Sequence, residues 1–143
     1  MDSHTAPNQA AADRTPRPWD YTAPGDITTL TVVPAGLRAD PGCAEVRVRI
    51  SALGQFFDAD AGIPSRDIPA MIDALTANQQ WSYDTPDDVG VELAPSTRSG
   101  MWLTLSVDLE ADDEPQIHIP ETLRLPLTSV LQAALTVARG WES

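Results

Sequence analysis

The chain has 143 residues, and its 9 basic residues, all of them arginine, stand against 21 acidic residues, which gives a formal net charge of −12 at pH 7. This length fits one domain, or one domain with a tail. The absence of lysine excludes lysine-based chemistry such as a Schiff base, and a general polyanion binder needs clustered cations to displace counterions. The composition therefore predicts that neither nucleic acid nor an acidic membrane surface is a partner.

The cysteine content and the hydropathy pattern indicate the compartment. Cys43 is the only cysteine, so the sequence allows no intrachain disulfide and no cysteine-rich metal cluster. No stretch of about 18 apolar residues is present to span a bilayer, and the N-terminus lacks the basic and apolar regions of a signal peptide. We expect a soluble, cytoplasmic protein.

The first 26 residues are rich in Ala, Pro and Thr and are predicted to form a disordered N-terminal arm, followed by a single domain over residues 27–143. Trp19 and Tyr21 are exceptions within this polar segment. Large aromatic side chains at such places either dock on the domain or on a partner, or are incidentally exposed.

The first strands of the domain show hydrophobic alternation with a period of two. Thr29–Val33 is a β-branched run and Glu45–Ile50 alternates strictly, so the two segments are predicted to form a hairpin around a turn at residues 38–42. Residues 56–57 begin a short third strand, which Gly62 and Pro64 are expected to end.

A helix is predicted after this strand. Ser65 or Asp67 can cap it, and Pro69 lies in the first turn, where its missing N–H costs nothing. The apolar residues that recur at helical spacing are Ile68, Met71, Ile72 and Leu75.

The second half of the sequence has the same order of elements. Val89–Leu93 and Met101–Leu109 alternate and predict a second hairpin, and an acidic loop, a short strand at Gln116–Ile119 and an amphipathic helix after Pro126 follow. The predicted internal repeat covers about residues 29–81 and 89–141 and superposes Ile50 on Val107. We therefore predict an α+β domain of two pseudo-repeated halves, each with antiparallel strands followed by a helix.

Several short motifs are similar to those of one known family over about 100 residues. The motifs are Val33-Pro34-Ala35-Gly36-Leu37-Arg38, Asp40-Pro41, Arg66-Asp67 at a helix start, and Asp88-Val89-Gly90-Val91 before Pro95-Ser96. They resemble the SsgA-like proteins of sporulating actinobacteria, as a distant relative would.

The resemblance implies a whirly-like fold and a homo-oligomeric assembly. It also implies a non-enzymatic regulator of sporulation-specific cell division and septation, which acts by protein–protein contacts with the division machinery or with cell-wall enzymes. Recruitment to the division septum would follow from that role.

Residues that carry catalysis are few. His4 and His118 are too few for a zinc site, and Cys43 has no base beside it to activate a nucleophile. The segment Asp58–Gly62 places alternate acids before a glycine but fails the EF-hand spacing. We predict that the chain is not an enzyme and has no catalytic, cofactor or metal site.

The remaining functional candidates are charged or aromatic surface residues. We expect a protein partner, a homo-oligomer and no nucleic acid; the alternative is an acidic inhibitor or immunity-type protein that neutralises a basic partner. The candidate contact residues are Trp19, Tyr21, Asp108, Glu110, Asp112, Asp113 and Glu114.

Overall fold

The computed structural model describes residues 19–24, 28–37, 44–52, 57–86, 89–106 and 115–141. These residues form two four-stranded antiparallel sheets, each followed in the chain by a helix. The elements are β1 (Trp19–Thr22), β2 (Thr28–Leu37), β3 (Ala44–Ala52), β4 (Phe57–Pro64), α1 (Ile68–Ala77), β5 (Trp81–Asp84), β6 (Gly90–Pro95), β7 (Met101–Ser106), β8 (Gln116–Ile119) and α2 (Glu121–Gly140). The predicted α+β architecture of two repeated halves is confirmed.

The first sheet has the strand order β1-β2-β3-β4. The predicted hairpin is confirmed, because Leu30 lies opposite Ile50 and Val32 lies opposite Val48. Side chains alternate between the two faces of a strand, so one face of this sheet collects the apolar residues. The buried ones include Leu30, Val32, Val46, Val48, Ile50, Ala61 and Ile63.

Strand β4 continues through Gly62 and ends at Pro64, so the prediction that the strand ends is wrong for Gly62 and confirmed for Pro64. A Cβ added to Gly62 would lie 2.5 Å from Oε2 of Glu45, whose residue is only 4% exposed. The glycine therefore leaves room for a buried carboxylate against the strand, which is the close-approach role of glycine in a sheet. Pro64 is the last residue of an edge strand, where a missing N–H is tolerated.

Helix α1 confirms the predicted helix, with Pro69 in its first turn. A 3-10 turn at Ser65–Asp67 leads into it. The helix ends at Asn78, which adopts the left-handed conformation (φ 55°, ψ 50°) and donates its N–H to the carbonyls of Ala74 and Leu75. Its buried residues are Ile68, Met71, Ala74 and Leu75.

Strand β1 shows that the boundary predicted for the N-terminal arm is wrong. Trp19–Thr22 were expected to be disordered, but they pair with β2, with Trp19 opposite Val32 and Tyr21 opposite Leu30. Only four residues long and followed by Pro24, the strand gives too short an alternation to be recognised.

The second sheet has the strand order β5-β6-β7-β8 and repeats the first. Trp81 lies opposite Leu93 and Tyr83 opposite Val91, as Trp19 and Tyr21 lie opposite β2. The repeat therefore runs over about 19–77 and 81–140, and the predicted bounds of 29–81 and 89–141 placed β5 at the end of the wrong unit.

The strand registers also correct the spacing of the repeat. Tyr21, Leu30 and Ile50 lie in one row of the first sheet, and Tyr83, Val91 and Leu105 lie in the matching row of the second. Ile50 thus corresponds to Leu105, 55 residues later (105 − 50), and not to Val107. The prolines that precede the two helical segments, Pro64 and Pro120, are 56 residues apart (120 − 64).

Helix α2 begins at Glu121, five residues before the proline after which it was predicted to start, and contains Pro126 near its beginning. It packs on β2 and β3 of the first sheet and on α1. The helix of the second half therefore covers the sheet of the first half. Its buried residues are Leu127, Leu131, Ala134, Leu135 and Ala138.

Within the described ranges, no helix has the length and apolarity of a membrane span.

Replacement of Gly62 by alanine tests the close approach of Glu45. We expect Gly62→Ala to lower the free energy of unfolding by about 1–3 kcal/mol, because the new Cβ displaces the buried carboxylate. The measurement is equilibrium urea unfolding. Gly140→Ala is the matched control, since its Cβ meets nothing within 4 Å, and its effect should be neutral or stabilising by up to about 1 kcal/mol.

The background Glu45→Ala separates the contact from a general intolerance of alanine in β4. In that background Gly62→Ala should cost less, because the colliding group is absent. An equal cost in both backgrounds would contradict the role assigned to Gly62.

Candidate functional site

A stacked Trp–Tyr pair lies on the first strand of each half. The ring centroids of Trp19 and Tyr21, the first-half aromatic pair, are 6.5 Å apart with an interplanar angle of 17°. Those of Trp81 and Tyr83, the second-half aromatic pair, are 5.7 Å apart with an angle of 4°. The two members of each pair are two residues apart on a strand, so they share one face of the sheet.

Both aromatic pairs combine packing against the core with partial exposure. All four rings are half-buried and contact the hydrophobic core. They lie on β1 and β5, which are edge strands with a single neighbour each, so within the described ranges no further strand pairs with their outer side. Each pair is therefore a partly open aromatic surface of the kind on which a planar ligand stacks.

The second-half aromatic pair is fixed by a carboxylate from the first half. Tyr83 Oη donates a hydrogen bond of 2.6 Å to Oδ2 of Asp67. Of the two predicted capping residues, Ser65 and Asp67, it is Asp67 that occupies the N-cap position of α1, but its side chain makes no capping hydrogen bond. Arg66, whose side chain is 72% exposed, places Nε 3.7 Å from the same carboxylate oxygen. A cation thus lies beside this aromatic pair.

The predicted site residues have different outcomes. Trp19 and Tyr21 lie on β1, as described above. The predicted acidic contact residues lie outside the described residues, as do His4 and Cys43; the acidic ones are Asp108, Glu110, Asp112, Asp113 and Glu114.

His118 lies on the face of the second sheet opposite to the core. It alternates with the buried Ile117 and Ile119, and Nε2 is 2.8 Å from the carbonyl oxygen of Ser99. Its ring centroid is 5.0 Å from that of Trp102, with an interplanar angle of 60°. The imidazole therefore has local structural partners, in agreement with its place on an alternating strand.

The carboxylates near Gly62 serve an arginine. Asp58–Gly62, weighed as a cation-binding segment, lie within β4, and Asp60 accepts a 2.9 Å hydrogen bond from Arg47, which also pairs with Glu45. Burial opposes the charge of Arg47, but the hydrogen bond and charge of Asp60, with those of Glu45, hold its pKa above the ordinary value. In the part of the chain that the structure describes, no group of three or more His, Cys, Asp or Glu side chains is placed to hold a metal ion.

Arg124 of α2 connects the two helices. Its Nη1 donates to the carbonyl oxygens of Leu75 (2.5 Å) and Thr76 (2.9 Å) at the end of α1, and its Nη2 pairs with Glu121 at 2.7 Å. A cation that binds the last carbonyls of a helix interacts well with the negative end of the helix dipole. The hydrogen bond from Arg124 holds the pKa of Glu121 below its usual range.

Sequence reasoning missed the aromatic pair of β5, although a signal was present. The motif Trp-x-Tyr occurs at Trp19–Tyr21 and again at Trp81–Tyr83, 62 residues later (81 − 19). Comparison of the half-repeats from their first residues would have aligned the two motifs and placed a strand at each.

Comparison with known proteins gives structural but not sequence matches. No protein-family model matches the chain, and no curated protein sequence matches it. The plant transcriptional regulator PBF-2 is similar in structure, with a TM-score of 0.64, 15% identity, and coverage of 89% of this chain and 84% of that one. The MRP1/MRP2 structure of Trypanosoma brucei has a TM-score of 0.60, 14% identity, and coverage of 94% and 95%. At these identities the likeness shows the fold, which is whirly-like.

These neighbours correct the predicted set of partners. A protein partner without nucleic acid was expected from the charge and the family resemblance. PBF-2, however, which is described as a transcriptional regulator, shares the fold over most of both chains. The exclusion of nucleic acid was therefore wrong. The resemblance to SsgA-like proteins has no family match behind it, and only its fold implication is confirmed.

Arg124 gives a test of the packing that holds both halves together. We expect Arg124→Met to lower the free energy of unfolding by about 1–3 kcal/mol, because the carbonyls of Leu75 and Thr76 lose their charged donor. Arg98→Met, in an exposed turn, is the control and should change stability by less than about 0.5 kcal/mol. Equal stability of the two variants in chemical denaturation would show that the carbonyl contacts contribute nothing.

Proposed function

We propose that this chain is a non-enzymatic regulatory protein that binds single-stranded nucleic acid by stacking bases on its two Trp–Tyr pairs. The observation that carries the proposal is the recurrence of the same half-exposed aromatic pair on the edge strand of each half. The non-enzymatic part rests on the sequence, in which two histidines and one cysteine leave few groups for catalysis.

Stacking favours single strands over duplexes. Base–aromatic stacking contributes about 1–3 kcal/mol per base and tolerates any sequence, because every base has a π-face. The faces of bases inside a duplex are already stacked on each other, and would have to be unstacked at a cost of a few kcal/mol. Two aromatic pairs, one in each half, supply two places where an unpaired base can stack.

The acidic net charge limits the strength of binding but does not prevent it. The charges next to the site decide its potential, and the second-half aromatic pair has the exposed Arg66 beside it. Asp20 and Asp84 alternate with the aromatic residues on β1 and β5, so their side chains lie on the opposite face of each strand. We expect few phosphate contacts, and hence modest affinity with a shallow dependence on salt.

The fold supports the regulatory part of the proposal. PBF-2, described as a plant transcriptional regulator, matches 89% of this chain with a TM-score of 0.64. Function is carried by sites and not by folds, so the likeness raises the expectation of a regulatory role and the aromatic pairs supply its chemistry.

A narrower role, regulation of sporulation-specific cell division, is suggested by the SsgA-like motifs and stays a prediction. Deletion of the gene in its own host tests it: a septation defect during sporulation would favour the narrower role, and normal septation would count against it.

Titration of the protein with a single-stranded oligonucleotide, followed by tryptophan fluorescence, tests the proposed function. We expect quenching by oligothymidylate at low salt and weaker binding of a duplex. Trp81→Leu and Trp19→Leu should each weaken binding by about 1–3 kcal/mol, because leucine keeps apolar packing but offers no aromatic face.

Trp102→Leu is the matched control, since Trp102 lies on the opposite face of the second sheet and pairs with His118. Its affinity should equal that of the wild type. The proposal fails if the wild type does not bind single strands, or if Trp102→Leu weakens binding as much as Trp81→Leu.

A further inference from the structure

The two aromatic pairs differ in how they are held. In the second half, the hydroxyl of Tyr83 is bonded to Asp67 at 2.6 Å. The prolines that precede the helical segments set the correspondence between halves at 56 residues, so the counterpart of Asp67 is Leu123 (67 + 56). A leucine side chain has no acceptor, so the position that matches Asp67 offers no such hydrogen bond to the first-half aromatic pair.

The two aromatic pairs also differ in the angle and the distance between their rings. Trp81 and Tyr83 are nearly parallel, at 4° and 5.7 Å, whereas Trp19 and Tyr21 are inclined at 17° and lie 6.5 Å apart. A hydrogen bond to an ionised acceptor is shorter and stronger than a neutral one, and it fixes the tyrosine ring by its far end while the strand fixes the near end.

The carboxylate of Asp67 bonds the tyrosine and does not cap the helix at whose start it lies. An aspartate at an N-cap position ordinarily accepts a backbone N–H of the first helical turn. The side chain of Asp67 makes no such bond, and its Oδ2 bonds Tyr83 from the other half of the molecule. This contact therefore joins the start of α1 to β5.

We propose that Asp67 is a positioning residue that holds Tyr83 parallel to Trp81 and makes the second-half aromatic pair the tighter of two base-stacking sites. This inference rests on the proposed function and adds a ranking of its two sites. A side chain that is already ordered loses less conformational entropy when a base stacks on it, so the anchored pair binds more tightly than the unanchored one.

Four single variants and two readouts test the inference. The readouts are the affinity for oligothymidylate and the near-UV circular dichroism of the protein without oligonucleotide. Tyr83→Phe and Asp67→Ala remove the hydrogen bond, and each should weaken binding by about three- to tenfold. Asp67→Ala, which keeps both aromatic chromophores, should also reduce the near-UV signal. Asp67→Asn should keep both, because an amide oxygen still accepts from Tyr83.

Asp73→Ala, which removes an exposed carboxylate from α1, is the matched control and should leave the affinity and the near-UV signal unchanged. The inference is overturned if Tyr83→Phe binds as the wild type does, if Asp67→Asn behaves like Asp67→Ala, or if Asp73→Ala has the same effect as Asp67→Ala. Failure of the wild type to bind any single strand would overturn the proposed function and the ranking together. The near-UV signals of the same variants then decide by themselves whether Asp67 holds Tyr83.

Discussion

The packing of α2 across β2 and β3 is the contact on which the rest of the structure depends. An antiparallel sheet with one apolar face must bury that face, and here the helix that does so belongs to the other half of the chain. Leu127, Leu131 and Leu135 lie on its buried side, and burial of each contributes about 1.5–3 kcal/mol. Because both halves contribute to one core, the two sheets hold fixed positions, and Arg124 extends this coupling to the end of α1.

The open sheet edges follow from this arrangement. Strands β1 and β5 each have one neighbour, so their core-facing aromatic side chains are covered on one side only. An edge strand of four residues is short, which limits its capacity to pair with other chains. Such a strand makes few backbone hydrogen bonds, so the packing of its large aromatic rings contributes much of what holds it in place. The same feature that stabilises a short edge strand therefore leaves an aromatic surface partly exposed.

Periodicity over six or more residues was sufficient to predict the long strands and the helices, because burial of one face imposes a pattern of period two or 3.6. It did not reveal β1 and β5, whose two core-facing residues are amphipathic aromatics, whereas the equally short β8 was predicted from the aliphatic Ile117 and Ile119. Gly62 was misread because a glycine that breaks a strand and a glycine that admits a neighbouring carboxylate look the same in sequence. The charge argument failed for a different reason: a net charge of −12 is a sum over the chain, whereas a binding site responds to the groups beside it.

An acidic chain that binds single strands has to gain affinity from contacts that do not depend on phosphate charge. Stacking on preordered rings is such a contact, and the binding free energy that it contributes rises with the rigidity of the ring that receives the base. The carboxylate of Asp67 has two opposing effects on a bound strand. Its charge repels phosphate, although Arg66 lies close enough to reduce that repulsion, and its hydrogen bond from Tyr83 orders the tyrosine ring. Under the proposed function, Asp67 thus supports stacking by ordering Tyr83, while Arg66 partly balances its charge.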